Sequence, residues 1–191
     1  MKRSLLRSPM TLALAASLAL LGSIAPGGAP GAPTRVEARV GGRPPPFVLP
    51  AATGGPTNDE FRMGDYLEHN PVVILFWATW CQPCQQELPF YESIYQQYRE
   101  QGLKVVAISM DSQATITRAG PNARRLGVSY DVVTDVDTRV TTQLNPRRAA
   151  PFSLWIDRRG RIVREREGFS PAEQNAISEG IARLVAPPER H

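Results

Sequence analysis

Phe76-Trp77-Ala78-Thr79-Trp80-Cys81-Gln82-Pro83-Cys84 is the stretch that decides how this chain reads. Its two cysteines are the only ones among 191 residues. Three positions apart, they can close a small disulfide ring and reopen it. The run Val72–Trp77 that leads into them is continuous, apolar and rich in β-branched residues, as for a strand buried on both faces of a parallel sheet. The residues that lead away have helical character. A Cys-x-x-Cys pair at the strand-to-helix junction of a βαβ unit reads as a thiol–disulfide exchange site.

Other uses of two cysteines fit less well. A structural zinc site takes four ligands. The chain has only two histidines, His69 in an expected loop and His191 at its end. A c-type haem needs a histidine directly after the second cysteine, and Gln85 stands there. Two inert buried thiols would need neither a proline between them nor a strand ending at them.

The N-terminus reads as an export segment rather than fold. Lys2, Arg3 and Arg7 precede a nearly unbroken apolar run over residues 11–24, the pattern of a secretory signal. The run is shorter than the roughly 20 residues of a spanning helix, and retention as an uncleaved anchor is the second reading. The formal charge is +4, leaving +1 once these three positives are set aside, so nothing points to nucleic acid. Export also sharpens the cysteine argument: oxidising compartments favour structural disulfides, yet the only pair here is spaced for exchange.

The expected organisation is a signal or anchor over 1–25, a Pro/Gly-rich linker over 26–45, one domain over 46–187 and a tail over 188–191. Within the domain, residues 47–50 read as a short strand, 51–59 as a loop and 63–68 as a short helix. After Val72–Trp77, a helix should run from the cysteines to about Gln101, with Pro89 inside it and Gly102 ending it. Residues 105–110, 131–134, 152–157 and 161–167 read as strands, the last two as a hairpin. Residues 112–126 read as a helix broken or loosened at Gly120-Pro121, and 137–144 as a short helix. Ser170, Pro171 and Glu173 carry the signature of a capping box on a final helix. This alternation predicts an α/β fold, a central mixed β-sheet flanked by helices on both faces.

Trp77-Ala78-Thr79-Trp80-Cys81-Gln82-Pro83-Cys84, continued by Gln85-Gln86-Glu87-Leu88-Pro89, resembles the active-site motif of TlpA/ResA-like thioredoxins. Residues 150–163, from Ala150-Pro151-Phe152 to Arg161-Ile162-Val163, are similar to that family's cis-proline strand and following turn. The resemblance implies a thioredoxin-like fold and an exported or membrane-tethered thiol-disulfide oxidoreductase. It implies a reducing role toward protein disulfides, such as those of apocytochrome c, fed by a membrane thiol reductant. It calls for no cofactor beyond the redox-active disulfide itself, and a monomer suffices. Two departures stand out. Leu75 occupies a position where relatives carry a buried Asp or Asn, and Phe152 follows the proline where Thr is frequent, so a more apolar substrate groove is expected.

Cys81 is the expected nucleophile, exposed at the helix N-terminus where unpaired N–H groups and the dipole stabilise a thiolate. Cys84, one turn in, is the expected resolving thiol, and Pro83 stiffens the ring. Glu87 has two readings: an exposed helix carboxylate, or a base that takes and returns the Cys84 proton. Trp80 reads either as a partner contact or as core, whereas Trp77 and Trp155 read as core. The resemblance implies a cis bond between Ala150 and Pro151 beside the cysteines, which would leave the Ala150 backbone to pair with a substrate segment; a trans proline at a strand start is the alternative. A thiol peroxidase and a copper-binding thiol module are the rival functions. The first would need a peroxide site and the second a third ligand, and the sequence offers no signature of either.

Overall fold

The computed structural model describes residues 40–187 apart from Gly54 and Asn58. The expected signal or anchor over 1–25, most of the expected linker and the expected tail over 188–191 lie outside the described residues.

Strand β3, Val72–Trp77, is buried at every position. The period-2 alternation of a strand divides its side chains between two cores. Val73, Leu75 and Trp77 join one cluster, while Val72, Ile74 and Phe76 join the other. Strand β4, Lys104–Ser109, lies parallel to β3, and β5, Asp131–Thr134, lies parallel to β4. On the opposite flank β6, Phe152–Ile156, runs antiparallel to β3, and β7, Ile162–Glu167, antiparallel to β6. The sheet order is β5-β4-β3-β6-β7.

Helices α1, Cys84–Tyr98, α2, Ala119–Arg125, and α4, Gln174–Val185, cover the first core through Leu88, Tyr91, Ala123, Ile177 and Ile181. Helix α3, Arg139–Leu144, covers the second through Val140 and Leu144. This is the mixed sheet with helices on both faces that the alternation predicted. Edge strand β7 exposes Arg164, Glu165 and Glu167, and such charge discourages edge-to-edge pairing.

Several local expectations are corrected. The strand expected over 47–50 forms as β1, Val48–Pro50, but it pairs antiparallel with β2, Glu60–Arg62, a strand absent from the sequence reading, in a second small sheet. A three-residue strand with charged ends has too little pattern to show. Residues 63–68 hold only a 3-10 turn, Met63–Asp65. Gly120 and Pro121 do not break a helix spanning 112–126. They lie in the first turn of the much shorter α2, where a missing N–H costs no intrahelical bond. Gly120 is required there, because a Cβ would stand 2.1 Å from the Ala52 carbonyl oxygen. The capping box does not form either: Pro171–Glu173 is a 3-10 turn without a side-chain cap. The Glu173 carboxylate accepts instead from Ser170 Oγ at 3.1 Å and Arg166 Nη2 at 2.6 Å.

Gly180 fixes how closely α4 approaches the sheet. A Cβ there would lie 2.5 Å from Trp155 Cζ3. Gly180→Ala should gain up to about 1 kcal/mol of helix propensity but lose more to overpacking, typically 1–3 kcal/mol. Its thermal midpoint should therefore fall; a rise would show that α4 shifts without cost.

Candidate active site

The loop from β3 to α1 is held from below by a buried carboxylate. Asp111, only 1% exposed, accepts from Thr79 N at 2.9 Å and Thr79 Oγ1 at 2.6 Å. Ser109 Oγ donates to the same carboxylate at 2.8 Å, and Met110 N donates to Trp77 O at 2.8 Å. The end of β4 thus fixes the chain just before Cys81. Asp111→Ala would leave two hydroxyls and an N–H without their acceptor. A loss of roughly 2–4 kcal/mol is expected in denaturant unfolding, with heterogeneous Cys81 reactivity; an unchanged midpoint would show that the clamp is dispensable.

Cys81 and Cys84 form a disulfide, with Cα atoms 5.3 Å apart. The Cys84 N–H, the first of α1, donates to Cys81 Sγ at 3.3 Å. The helix N-terminus thus points a donor at the sulfur, the arrangement that stabilises a thiolate once the bond is opened. Cys84 is fully buried, and Cys81 retains only 3% of its surface. The exposed Cys81 of the sequence reading is therefore not met in this oxidised form, because the closed ring draws both sulfurs into the first apolar cluster. Trp80 is 65% exposed, and Pro83 is exposed as well. Trp80 thus stands out of the core, while Trp77 and Trp155 are buried in it.

The Ala150–Pro151 bond is cis. Phe76 pairs with Phe152, which puts Pro151 beside the end of β3, where the chain turns toward Cys81. Among the described residues nothing bonds to the Ala150 N–H or C=O. The preceding loop is braced by buried Asn145, whose amide donates to Ala149 O at 2.8 Å and accepts from Ala149 N at 3.0 Å. Phe152 does not line a groove. It packs into the second core against Phe76, their ring centroids 5.9 Å apart, so the more apolar groove expected from it is withdrawn.

Glu87 is 2% exposed, one turn beyond Cys84, which rules out the exposed-carboxylate reading. Its Oε2 has no hydrogen-bond partner in the protein among the described residues. Burial pushes its carboxyl from the ordinary 4.5 up to about 8, with the Arg166 guanidinium acting in the opposite direction. Tyr91, which accepts from Trp155 Nε1 at 3.3 Å, and Tyr130, which donates to Leu88 O at 3.1 Å, are kept as neutral phenols by the same burial. A carboxyl that changes protonation near neutral pH beside a buried thiol can exchange a proton with it. Among the described residues no group of three or more His, Cys, Asp or Glu could hold a metal.

Asp111, Asn145 and Arg166 are the parts of the site that the sequence reading missed. The only available signals were local: a polar residue just past a buried strand, and an Asn-Pro turn.

The model of the AhpC/TSA family matches residues 40–166. The chain is 30% identical over 124 residues to the thiol-disulfide oxidoreductase ResA of Geobacillus kaustophilus, covering 64% of this chain and 66% of that protein. It is 27% identical over 151 residues to ResA of Bacillus thuringiensis, 78% of this chain and 80% of that one. Among solved structures, one from Chlorobium tepidum, provisionally named a thiol:disulfide interchange protein DsbE, superposes with a TM-score of 0.68 at 27% identity. It covers 78% of this chain and 100% of its own. The chain thus belongs to the AhpC/TSA family, as a ResA/TlpA-like thioredoxin and a thiol-disulfide oxidoreductase.

Proposed function

We propose that this chain works outside the cytoplasm as a dithiol reductant of partner proteins, the haem-attachment cysteines of apocytochrome c being one such substrate. The observation that carries the reading is the Cys81–Cys84 pair at the start of α1 with a buried, proton-holding Glu87 one turn behind. The apolar leader over residues 11–24 supports export. The likeness to thiol-disulfide oxidoreductases named ResA supports disulfide exchange, and the direction is taken from the resemblance of the active-site motif.

The reaction runs in two displacements. The Cys81 thiolate attacks one sulfur of the partner's disulfide. That bond breaks, a mixed disulfide forms, and the partner's other sulfur leaves as a thiolate and takes up a proton. Glu87, ionised, accepts the Cys84 proton. The Cys84 thiolate then attacks Cys81 Sγ, and the partner's second sulfur leaves and is protonated. Two electrons have passed from the dithiol to the partner, and the closed disulfide of the present structure is the product. An external dithiol, in this reading a membrane thiol reductant, restores the starting state. Exposed Trp80 and Pro83 offer a contact surface, and the Ala150 N–H and C=O can pair with an extended partner segment beside the sulfurs.

The direction is tested by the reduction potential, measured by equilibration against glutathione or dithiothreitol. A value at or below about −250 mV supports the reductant, whereas one near −120 mV would mark a disulfide-introducing oxidant.

A further inference from the structure

Glu87 cannot act as a base unless it ionises, and little around it helps. Tyr91 faces it from its own helix, with Cys84 one turn back. Sheet residues on the same face are Leu75, Trp77, Ser153 and Trp155, all uncharged. Tyr130 is a neutral phenol held by Leu88 O. Helix α4 presents Ile177 and Ile181. Among the described residues of the sheet, two cations lie on that face. Arg164, in register with Trp155, is exposed and stands over the Trp155 ring at 5.1 Å, whereas Arg166 is drawn inward. It pairs in register with Ser153 across β6 and β7, and directly opposed residues point to the same face of a sheet. Its side chain is only 15% exposed although it stands on an edge strand. Among the described residues it is the cation whose charge favours ionisation of both Glu87 and Tyr91.

Arg166 is also anchored. Its Nη2 donates to Glu173 Oε1 at 2.6 Å, and Ser170 Oγ secures the other oxygen of Glu173 at 3.1 Å. Glu173 is thereby diverted from capping the helix that follows. A carboxylate that gives up its cap to hold an inward-lying arginine fixes that guanidinium in place.

We propose that Arg166, anchored by Glu173 and Ser170, is the positioning cation that lets the buried Glu87 ionise and so take the Cys84 proton. This rests on the reading of Glu87 as the base. Arg166 touches neither sulfur nor substrate; it acts through Glu87. Without it, the Glu87 carboxylate would sit in an apolar pocket with no compensating charge, and the acid form would persist to higher pH. The anchor also explains why an arginine serves better than a freely moving chain: one fork end stays on Glu173 while the charge remains near the core.

The test is a pH titration of the reduced full-length protein, read by the infrared carbonyl band of a protonated buried carboxyl. Glu87→Gln identifies the band by removing it. Arg166→Gln should move its midpoint upward by about one pH unit, a tenfold rise in proton affinity. The pH at which disulfide exchange accelerates should move with it. Arg166→Lys should restore most of the wild-type midpoint, and Arg161→Gln, an equal charge loss on the exposed turn, should leave it unchanged. An unchanged midpoint in Arg166→Gln, or an equal shift in Arg161→Gln, overturns the proposal while leaving Glu87 as the base. If no titrating band depends on Glu87 at all, the reading beneath the proposal fails and the proposal with it.

Discussion

Cys81→Ser should abolish disulfide exchange, with a loss of at least about a thousandfold, whereas Cys84→Ser should halt the enzyme halfway. The difference follows from position. Cys81 Sγ receives the Cys84 N–H at the start of α1, where the dipole and unpaired donors favour a thiolate. Cys84 lies one turn further in with no exposed surface, so a partner disulfide meets Cys81 first. With serine at 84 the mixed disulfide has nothing to resolve it, and it should accumulate as a covalent adduct visible on a non-reducing gel. With serine at 81 no adduct should form. An adduct of equal yield through Cys84 would reverse the assignment of roles.

Glu87→Gln should produce the second-largest effect, a loss of rate together with a relative gain of stability that grows with pH. At neutral pH the variant loses its proton acceptor, and general-base contributions of this kind are worth about 10²–10⁴-fold. Resolution by Cys84 should then follow hydroxide and rise steadily with pH instead of levelling off. Stability should move the other way. The native carboxyl holds its proton up to about pH 8, while the unfolded chain releases it near the ordinary 4.5. A group raised in the folded state contributes its full stabilisation below the unfolded value. That contribution is lost as pH rises through the folded one. The wild type should therefore lose stability between about pH 4.5 and 8 relative to Glu87→Gln. By pH 9 the variant should be the more stable of the two, by a few kcal/mol. Urea midpoints at pH 6 and pH 9 check this; parallel pH dependence in the two proteins would mean that Glu87 is not buried as an acid.

The sequence revealed the parts whose signal is local. Val72–Trp77 and the first four residues of the 105–110 run are continuous apolar stretches, and strands buried on both faces leave that mark. The cysteine pair carried its chemistry in its spacing. The Ala150-Pro151 junction was found only through resemblance, since nothing in a lone proline reports its isomer. What stayed hidden depends on contacts between distant residues. Asp111 meets Thr79 across 32 positions, and no local pattern distinguishes it from an ordinary loop aspartate. Glu87 was ambiguous because the face of α1 it shares with Tyr91 becomes buried only when Trp155 and Ile177 close against the helix. Glu173 was misread for the opposite reason: the capping pattern is present in the sequence, but the arginine that overrides it arrives from β7.

The asymmetry of the dithiol is the central claim, and alkylation of the reduced protein tests it most directly. The rate at Cys81 and at Cys84 would be followed separately by mass spectrometry from pH 4 to pH 10. The account predicts that Cys81 is modified quickly and with a midpoint well below the roughly 8.5 of a free thiol. Cys84 should be protected by at least about tenfold in rate, with a pH dependence that changes in Glu87→Gln. Equal rates at both cysteines with a shared midpoint near 8.5 would contradict it, leaving two ordinary thiols with no division of labour between them.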